Sequence, residues 1–231
     1  HFWSDIILLG TAGPAYRMEL MQGKRAYTEP EVKRAYGMWA KLIQDGYFNA
    51  EMDQLNWDQA TEQVCESKAA MTLMGTWAIQ YFTGENCGFA EEKDFDFFAF
   101  PIIDQDVEKV AVGPVDGIVA THGASRDVKR MLGYFAEASP QQLLNTGAGG
   151  FAPSREVADA SYSPLRLRIL KKSRSATTWA FNYDLATRME VADRGLDSFS
   201  ELLAFPDQAD AILKNLQSET AKFFKPQRPQ R

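Results

Sequence analysis

Histidine and cysteine are scarce in this sequence, and their scarcity excludes several kinds of chemistry. Of the 231 residues, two are histidines and two are cysteines. A zinc or haem site needs a cluster of such ligands, so we expect no metal and no cofactor. A serine-protease-like triad would have to use His122, and the sequence has no nucleophile elbow, P-loop, dinucleotide-binding glycine motif or HExxH motif.

Long apolar runs and an excess of basic residues are also absent. No run of about 18 apolar residues occurs, so no membrane-spanning helix is predicted. The chain has 25 basic and 31 acidic side chains, which give a formal charge of -6. A general nucleic-acid binder normally has a basic face, so this charge argues against nucleic acid as a partner. Contents of 45% hydrophobic and 24% charged residues are typical of a globular protein.

The two cysteines leave their pairing open. A bridge between Cys65 and Cys87 would fit an exported protein and would contribute about 3 kcal/mol to stability. Two partly buried free thiols are the alternative.

Apolar spacing and turn residues predict alternating helices and strands. A helix is expected to begin at Glu29-Pro30 and to end at Asp45-Gly46. Further helices are predicted at 57–66, 76–82 and 126–137, and another with Ser139-Pro140 as its cap and first position. Strands are predicted at 69–74, 94–100 and within 110–120. This alternation favours an α/β layer structure over a sandwich or a bundle.

The last third of the sequence is predicted to be almost entirely helical. Breaks are expected near Arg174, Gly195 and Pro206. The final segment, 225–231, is basic and rich in proline, and it is predicted to be a solvated, disordered tail.

Tryptophan positions suggest a binding surface. Trp39 lies on the apolar face of the helix that begins at Glu29-Pro30, so a core role is predicted for it. The other four lie near segment starts or strand-to-helix turns, at Trp3, Trp57, Trp77 and Trp179. Ligands of α/β sheets gather where such turns lie, and flat indole rings suit stacking on the apolar faces of sugars. For any single ring a structural role is an equal alternative.

The order of several motifs resembles a known family. The motifs are KAAMTLMGTWA at 68–78, FDFFAFP at 95–101, VGPVDGIVA at 112–120 and GGFAPSRE at 149–156. Their order is similar to that in the extracellular solute-binding proteins of ABC importers, and most similar to the carbohydrate-binding, maltose-binding-protein-like branch.

The resemblance implies a periplasmic-binding-protein-like α/β fold of the second type, in which two lobes hold the ligand between them. Residues 1–112 and 152–231 would form most of the second lobe with a helical C-terminal extension. Residues 113–151 would cross the hinge and contribute to the first lobe. Most of that first lobe would be absent from this chain.

The resemblance also implies roles for individual residues. Trp77 matches the stacking tryptophan of a Gly-x-Trp turn, and Gly75 would let the ligand approach closely. Trp3 precedes a small, glycine-bearing turn, and Trp179 resembles a further aromatic subsite wall.

Four polar or flanking positions complete the predicted site. Asp53 and Trp57 precede a helix whose N-terminus would face the cleft. Asp116 would meet sugar hydroxyls, and Arg155 would donate to hydroxyls or to an acidic sugar. A turn-stabilising role for Asp116 and a surface role for Arg155 are the alternatives.

The implied function is non-catalytic capture of a sugar or oligosaccharide and its delivery to the transmembrane permease of an ABC importer. Such a protein would act as a monomer in the periplasm or outside the cell, with a lipid anchor in its full-length form as one option. A ligand-sensing domain of the same fold and a carbohydrate-active enzyme with two facing carboxylates are the alternatives. Arg155 and Lys68 leave an anionic sugar open.

Overall fold

The computed structural model describes residues 2–148 and 150–224, which fall into two compact units. The first unit comprises 1–56, 100–114 and 176–231, and the second comprises 57–99 and 115–175. The lobe boundaries predicted from the resemblance are different, and that assignment stays a prediction. The predicted disordered tail at 225–231 lies outside the described residues.

The described residues are mainly helical, with one pair of short strands among them. In chain order the elements are α1 (Phe2–Met21), α2 (Pro30–Gln44), α3 (Trp57–Cys65), α4 (Ala78–Thr83), β1 (Val110–Val112), α5 (Arg126–Phe135), α6 (Ala138–Ala148), α7 (Pro164–Arg174), β2 (Thr178–Ala180), α8 (Met189–Ala204) and α9 (Ala209–Thr220). The two strands are parallel, and Ala111 lies opposite Trp179.

The core of the first unit lies among α1, α2, α8 and α9. Helix α2 has the predicted first-turn proline, Pro30, and it ends at Gln44. Gly46, two residues further on, has a φ of 78°, which favours glycine. Its buried apolar face includes Trp39, which confirms the predicted core role. The Trp39 ring packs edge-on against Phe199 of α8, with 6.1 Å between the ring centroids.

Helix α1 was not predicted from the sequence. It is buried on several sides, so its apolar residues show no clear helical stripe. It also kinks at Gly13, which has a φ of 85° and is followed by Pro14. A buried ion pair between Asp5 and Arg17 links the helical turns before and after this kink, with Arg17 Nη2 2.8 Å from Asp5 Oδ2.

The second unit has a smaller core and a covalent link. Val157, Tyr162 and Leu170 are buried together. The disulfide joins Cys65 to Cys87, which decides the pairing that the sequence left open. Such a crosslink stabilises a fold chiefly by restricting the unfolded chain.

Two predicted strands are wrong. Residues 69–74 and 94–100 form no strand, although an isolated bridge pairs Glu91 with Phe95. Side chains 94–98 do alternate between exposed and half-buried, as an extended segment would. A strand also needs a neighbouring strand along its length, and within the described residues neither segment has one.

The helix predictions are mostly confirmed, with three differences. Strand β2 lies in the last third, which was predicted to be almost entirely helical. Helix α6 begins at Ala138, so Ser139 and Pro140 lie inside its first turn. The predicted break at Gly195 is wrong because this glycine lies within α8. A Cβ there would overlap the phenol of Tyr183, so the glycine serves close packing. The breaks near Arg174 and Pro206 are confirmed.

No helix within residues 2–148 and 150–224 is both long enough and apolar enough to cross a membrane.

The packing at Gly195 predicts the effect of adding a methyl group. We expect Gly195→Ala to lower the free energy of unfolding by about 1–3 kcal/mol, because the new Cβ must displace Tyr183 from the core. Gly37→Ala is the matched control in α2, where a Cβ would meet no atom within 4 Å. That control should stabilise the protein by about 0.5–1 kcal/mol. Urea unfolding measures both changes, and equal effects of the two substitutions would contradict this account.

Candidate functional site

In the first unit, Trp179 forms an exposed aromatic surface on strand β2. Its side chain is 50% exposed. A Cβ on Gly113 would lie 3.1 Å from Trp179 Cζ2, so the indole lies against the bare backbone of Gly113. The backbone N–H of Gly113 donates to the carbonyl of Ala180 at 3.1 Å, which continues the strand pairing past β1. We call Trp179 together with Gly113 the β2 platform.

Hydrogen bonds fix the start of β2 beside this platform. The Glu108 carboxylate accepts hydrogen bonds from the hydroxyls of Thr178 at 2.8 Å and Thr177 at 3.1 Å. The backbone N–H of Thr177 donates to the carbonyl of Lys109 at 3.0 Å. The strand that carries Trp179 is therefore held by side-chain hydrogen bonds as well as by its backbone pairing with β1.

In the second unit, Gly75, Thr76 and Trp77 form a turn that leads into α4. The carbonyls of Gly75 and Thr76 accept hydrogen bonds from the next helical N–H groups, those of Ala78 and Ile79, at 3.0 and 3.1 Å. The half-buried Trp77 ring folds back over Gly75, where a Cβ would overlap the indole. The glycine is thus required by the position of the ring. We call Gly75, Thr76 and Trp77 the glycine–tryptophan turn.

Trp57 offers another exposed ring in the second unit. It begins α3, it is 49% exposed, and its ring meets Tyr81 edge-on with centroids 6.1 Å apart. Desolvation raises the pKa of the Tyr81 phenol above its ordinary value, and neighbouring carboxylates raise it further. Those carboxylates belong to Glu62, Asp58 and Glu66. The surface around this ring pair is therefore acidic.

The remaining predicted residues lie elsewhere in the two units. In the first unit, Trp3 is half-buried, and its ring packs edge-on against Phe48 at 5.0 Å and Phe100 at 5.7 Å. Asp53 of the same unit is exposed in a short 3-10 helix. In the second unit, Asp116 and Arg155 are both exposed. Ligand roles for all these positions stay predictions.

Sequence reasoning missed the partners that hold the rings. No role was predicted for Gly113, although a glycine before proline at a strand end signals a close approach of backbone. Glu108 carried no signal, because its threonine partners are about 70 residues away in the sequence. Within the described residues, no group of three His, Cys, Asp or Glu side chains could hold a metal ion.

The chain is similar in sequence to an ABC transporter extracellular-binding protein. No protein-family model matches it. Over 174 residues, which are 75% of this chain, it is 25% identical to an uncharacterized ABC transporter extracellular-binding protein of Pyrococcus horikoshii. The match spans 38% of that protein's length.

Solved structures of two sugar receptors superpose on nearly the whole chain. A chitin oligosaccharide binding protein matches 96% of the chain with a TM-score of 0.76 and 19% identity. The bacterial solute receptor AcbH, which has an exclusive substrate preference for β-D-galactopyranose, matches 97% with a TM-score of 0.81 and 17% identity. The chain has the fold of the solute-binding receptors. This confirms the resemblance seen in the sequence and the predicted periplasmic-binding-protein-like α/β fold.

The receptor fold in this chain accounts for only part of each relative. The matches cover 56% of the chitin oligosaccharide binding protein and 58% of AcbH. The chain therefore spans little more than half the length of the solved receptors that it matches.

The contact within the glycine–tryptophan turn allows a prediction for a methyl group added at Gly75. We expect Gly75→Ala to push the Trp77 ring outward, because the new Cβ would occupy the space of the indole. Quenching of tryptophan fluorescence by acrylamide should rise, and stability should fall by about 1–3 kcal/mol.

Gly117→Ala is the control for this experiment, because a Cβ at Gly117 of the same unit would meet no atom within 4 Å. Equal quenching in both variants would show that Gly75 does not set the position of the ring.

Proposed function

We propose that this chain is the sugar-contacting part of a non-catalytic receptor that captures a saccharide for an ABC import system. The observation that carries the proposal is the pair of tryptophans seated against glycines, Trp179 on Gly113 and Trp77 on Gly75. Trp179 is 50% exposed, so part of its ring is accessible to a ligand. Sugars bury their C–H faces on such rings, and surrounding polar groups bind their hydroxyls.

The energy available from these rings is suited to reversible capture. An aromatic side chain can bury about 150–250 Å² in total, so half of one ring covered by a sugar corresponds to about 100 Å². At about 25 cal/mol per Å², each stacked ring contributes about 2–3 kcal/mol to binding, before the entropy lost on ordering is subtracted. One stacked ring, together with hydrogen bonds to the hydroxyls, is enough for weak, reversible binding.

The charges near the candidate rings favour an uncharged sugar. Carboxylates surround the Trp57 and Tyr81 pair, and Lys68, a candidate partner for an acidic sugar, lies 2.8 Å from Glu66 in an ion pair. The chain as a whole has a formal charge of -6. The ligands named for the two similar receptors, a chitin oligosaccharide and β-D-galactopyranose, are uncharged sugars as well.

The proposed setting is outside the cytoplasm. The relative from Pyrococcus horikoshii is an extracellular-binding protein, and the Cys65–Cys87 disulfide suits an oxidising compartment. There the loaded receptor would act as a monomer and dock on the permease subunits of the transporter. Closure of two lobes around the sugar would distinguish the loaded receptor from the empty one.

Sugar binding is tested with Trp179 of the β2 platform and Trp77 of the glycine–tryptophan turn. We expect calorimetric titration of the full-length protein with D-galactose, maltotriose and chitotriose to detect binding of at least one of them. Trp77→Ala and Trp179→Ala should each weaken that binding by about tenfold or more, because each loses a stacking surface.

Tyr47→Ala is the matched control, since this aromatic side chain is 72% exposed and lies outside the candidate site. It should bind as the native protein does. Consumption of the sugar during the titration would instead support the enzymatic alternative.

A further inference from the structure

We propose that Arg17, held by Asp5, is a positioning residue that sets Trp179 for ligand binding. This inference rests on the proposed function, because it concerns the β2 platform. It names a residue near the opposite end of the sequence, which would act on the ring through the backbone of Phe181.

Arg17 joins three parts of the first unit through one guanidinium group. Its Nε donates to Asp5 Oδ1 at 2.9 Å, and its Nη2 donates to Asp5 Oδ2 at 2.8 Å. The same Nη2 donates to the backbone carbonyl of Phe181 at 2.7 Å. Asp5 and Arg17 lie on opposite sides of the kink at Gly13, and Phe181 directly follows β2.

The contact with Phe181 completes the support of the strand that carries Trp179. Glu108 holds the hydroxyls at the start of β2, and Gly113 donates to the carbonyl of Ala180. Arg17 holds the next carbonyl along the chain, that of Phe181. The hydrogen bonds from the Gly113 backbone and from the Arg17 side chain thus hold the backbone on the C-terminal side of Trp179.

Stability alone does not account for this ion pair. Both residues are 4% exposed. The free energy lost when two charges are removed from water is about as large as the free energy gained from their attraction. Burial raises the pKa of the Asp5 carboxyl, while the charge and hydrogen bonds of Arg17 oppose that rise. An apolar pair of similar size could fill the same space, but it could not donate to Phe181.

The guanidinium geometry explains why arginine suits this place. The planar guanidinium donates to both carboxylate oxygens of Asp5, and it has a further N–H for the carbonyl of Phe181. Lysine would keep the charge, but its single ammonium cannot reproduce this planar set of donors. The substitution Arg17→Lys therefore separates the effect of charge from the effect of geometry.

The test uses a double substitution that leaves no unpaired buried charge. Asp5→Leu with Arg17→Met replaces the ion pair by apolar side chains of comparable shape and removes the donor to Phe181. The full-length protein, labelled with 5-fluorotryptophan, is examined by ¹⁹F NMR, and Trp179→Phe assigns the signal of Trp179. We expect the Trp179 signal to shift or broaden, while the signal of Trp39 in the core stays in place.

Sugar affinity supplies the second measurement. For whichever of D-galactose, maltotriose and chitotriose binds, the double substitution should weaken binding about fivefold or more. In a Trp179→Ala background the same double substitution should change affinity less than about twofold. Arg17 is proposed to act by positioning the Trp179 ring, and that ring is absent in this background. Arg17→Lys should give an intermediate loss, and it serves as the test variant if the double substitution does not fold.

The outcomes separate this inference from the proposed function. An unchanged Trp179 signal, or an equal loss of affinity in both backgrounds, overturns the positioning role of Arg17. If none of the three sugars binds the native protein, the proposed function fails. The ¹⁹F signal then still decides whether Arg17 positions Trp179.

Discussion

The contact between an indole ring and the bare backbone of a glycine is the constraint on which the candidate site depends. A Cβ at Gly75 would overlap the ring of Trp77, and a Cβ at Gly113 would lie 3.1 Å from that of Trp179. Each ring is supported from beneath by main chain, which has no rotamers to rearrange. A stacking surface of this kind is already ordered before the ligand arrives, which lowers the entropy that binding must lose.

Each unit supports its ring by a different means. In the first unit, strand pairing, the Glu108 carboxylate and the buried Arg17 guanidinium fix the backbone on both sides of Trp179. In the second unit, the glycine–tryptophan turn leads into α4, and the Cys65–Cys87 disulfide links α3 to the segment after α4. Both arrangements place an aromatic side chain on a fixed main chain, as the proposed non-catalytic receptor would require.

Features that depend on neighbouring residues could be predicted from the sequence, whereas contacts between distant residues could not. The first-turn proline and apolar stripe of α2 predicted that helix. The Gly-x-Trp turn was noticed because its residues are adjacent, but Gly75 was expected to admit a ligand, whereas the Trp77 ring lies over it. Helix α1 was missed because burial on several sides leaves it no stripe. The strand predicted at 69–74 failed because strand formation needs a partner that one segment cannot reveal. The contact of Arg17 with the carbonyl of Phe181 spans 164 residues, so no local pattern could show it.

The central claim is that these rings are the sugar-binding surface, and saturation-transfer difference NMR tests it most directly. Aromatic protons of the full-length protein are irradiated in the presence of the sugar that binds. The account predicts that saturation passes mainly to C–H protons on one face of the sugar ring and that it falls when Trp77 or Trp179 is replaced. Saturation spread evenly over the sugar, or unaffected by either replacement, would contradict the account.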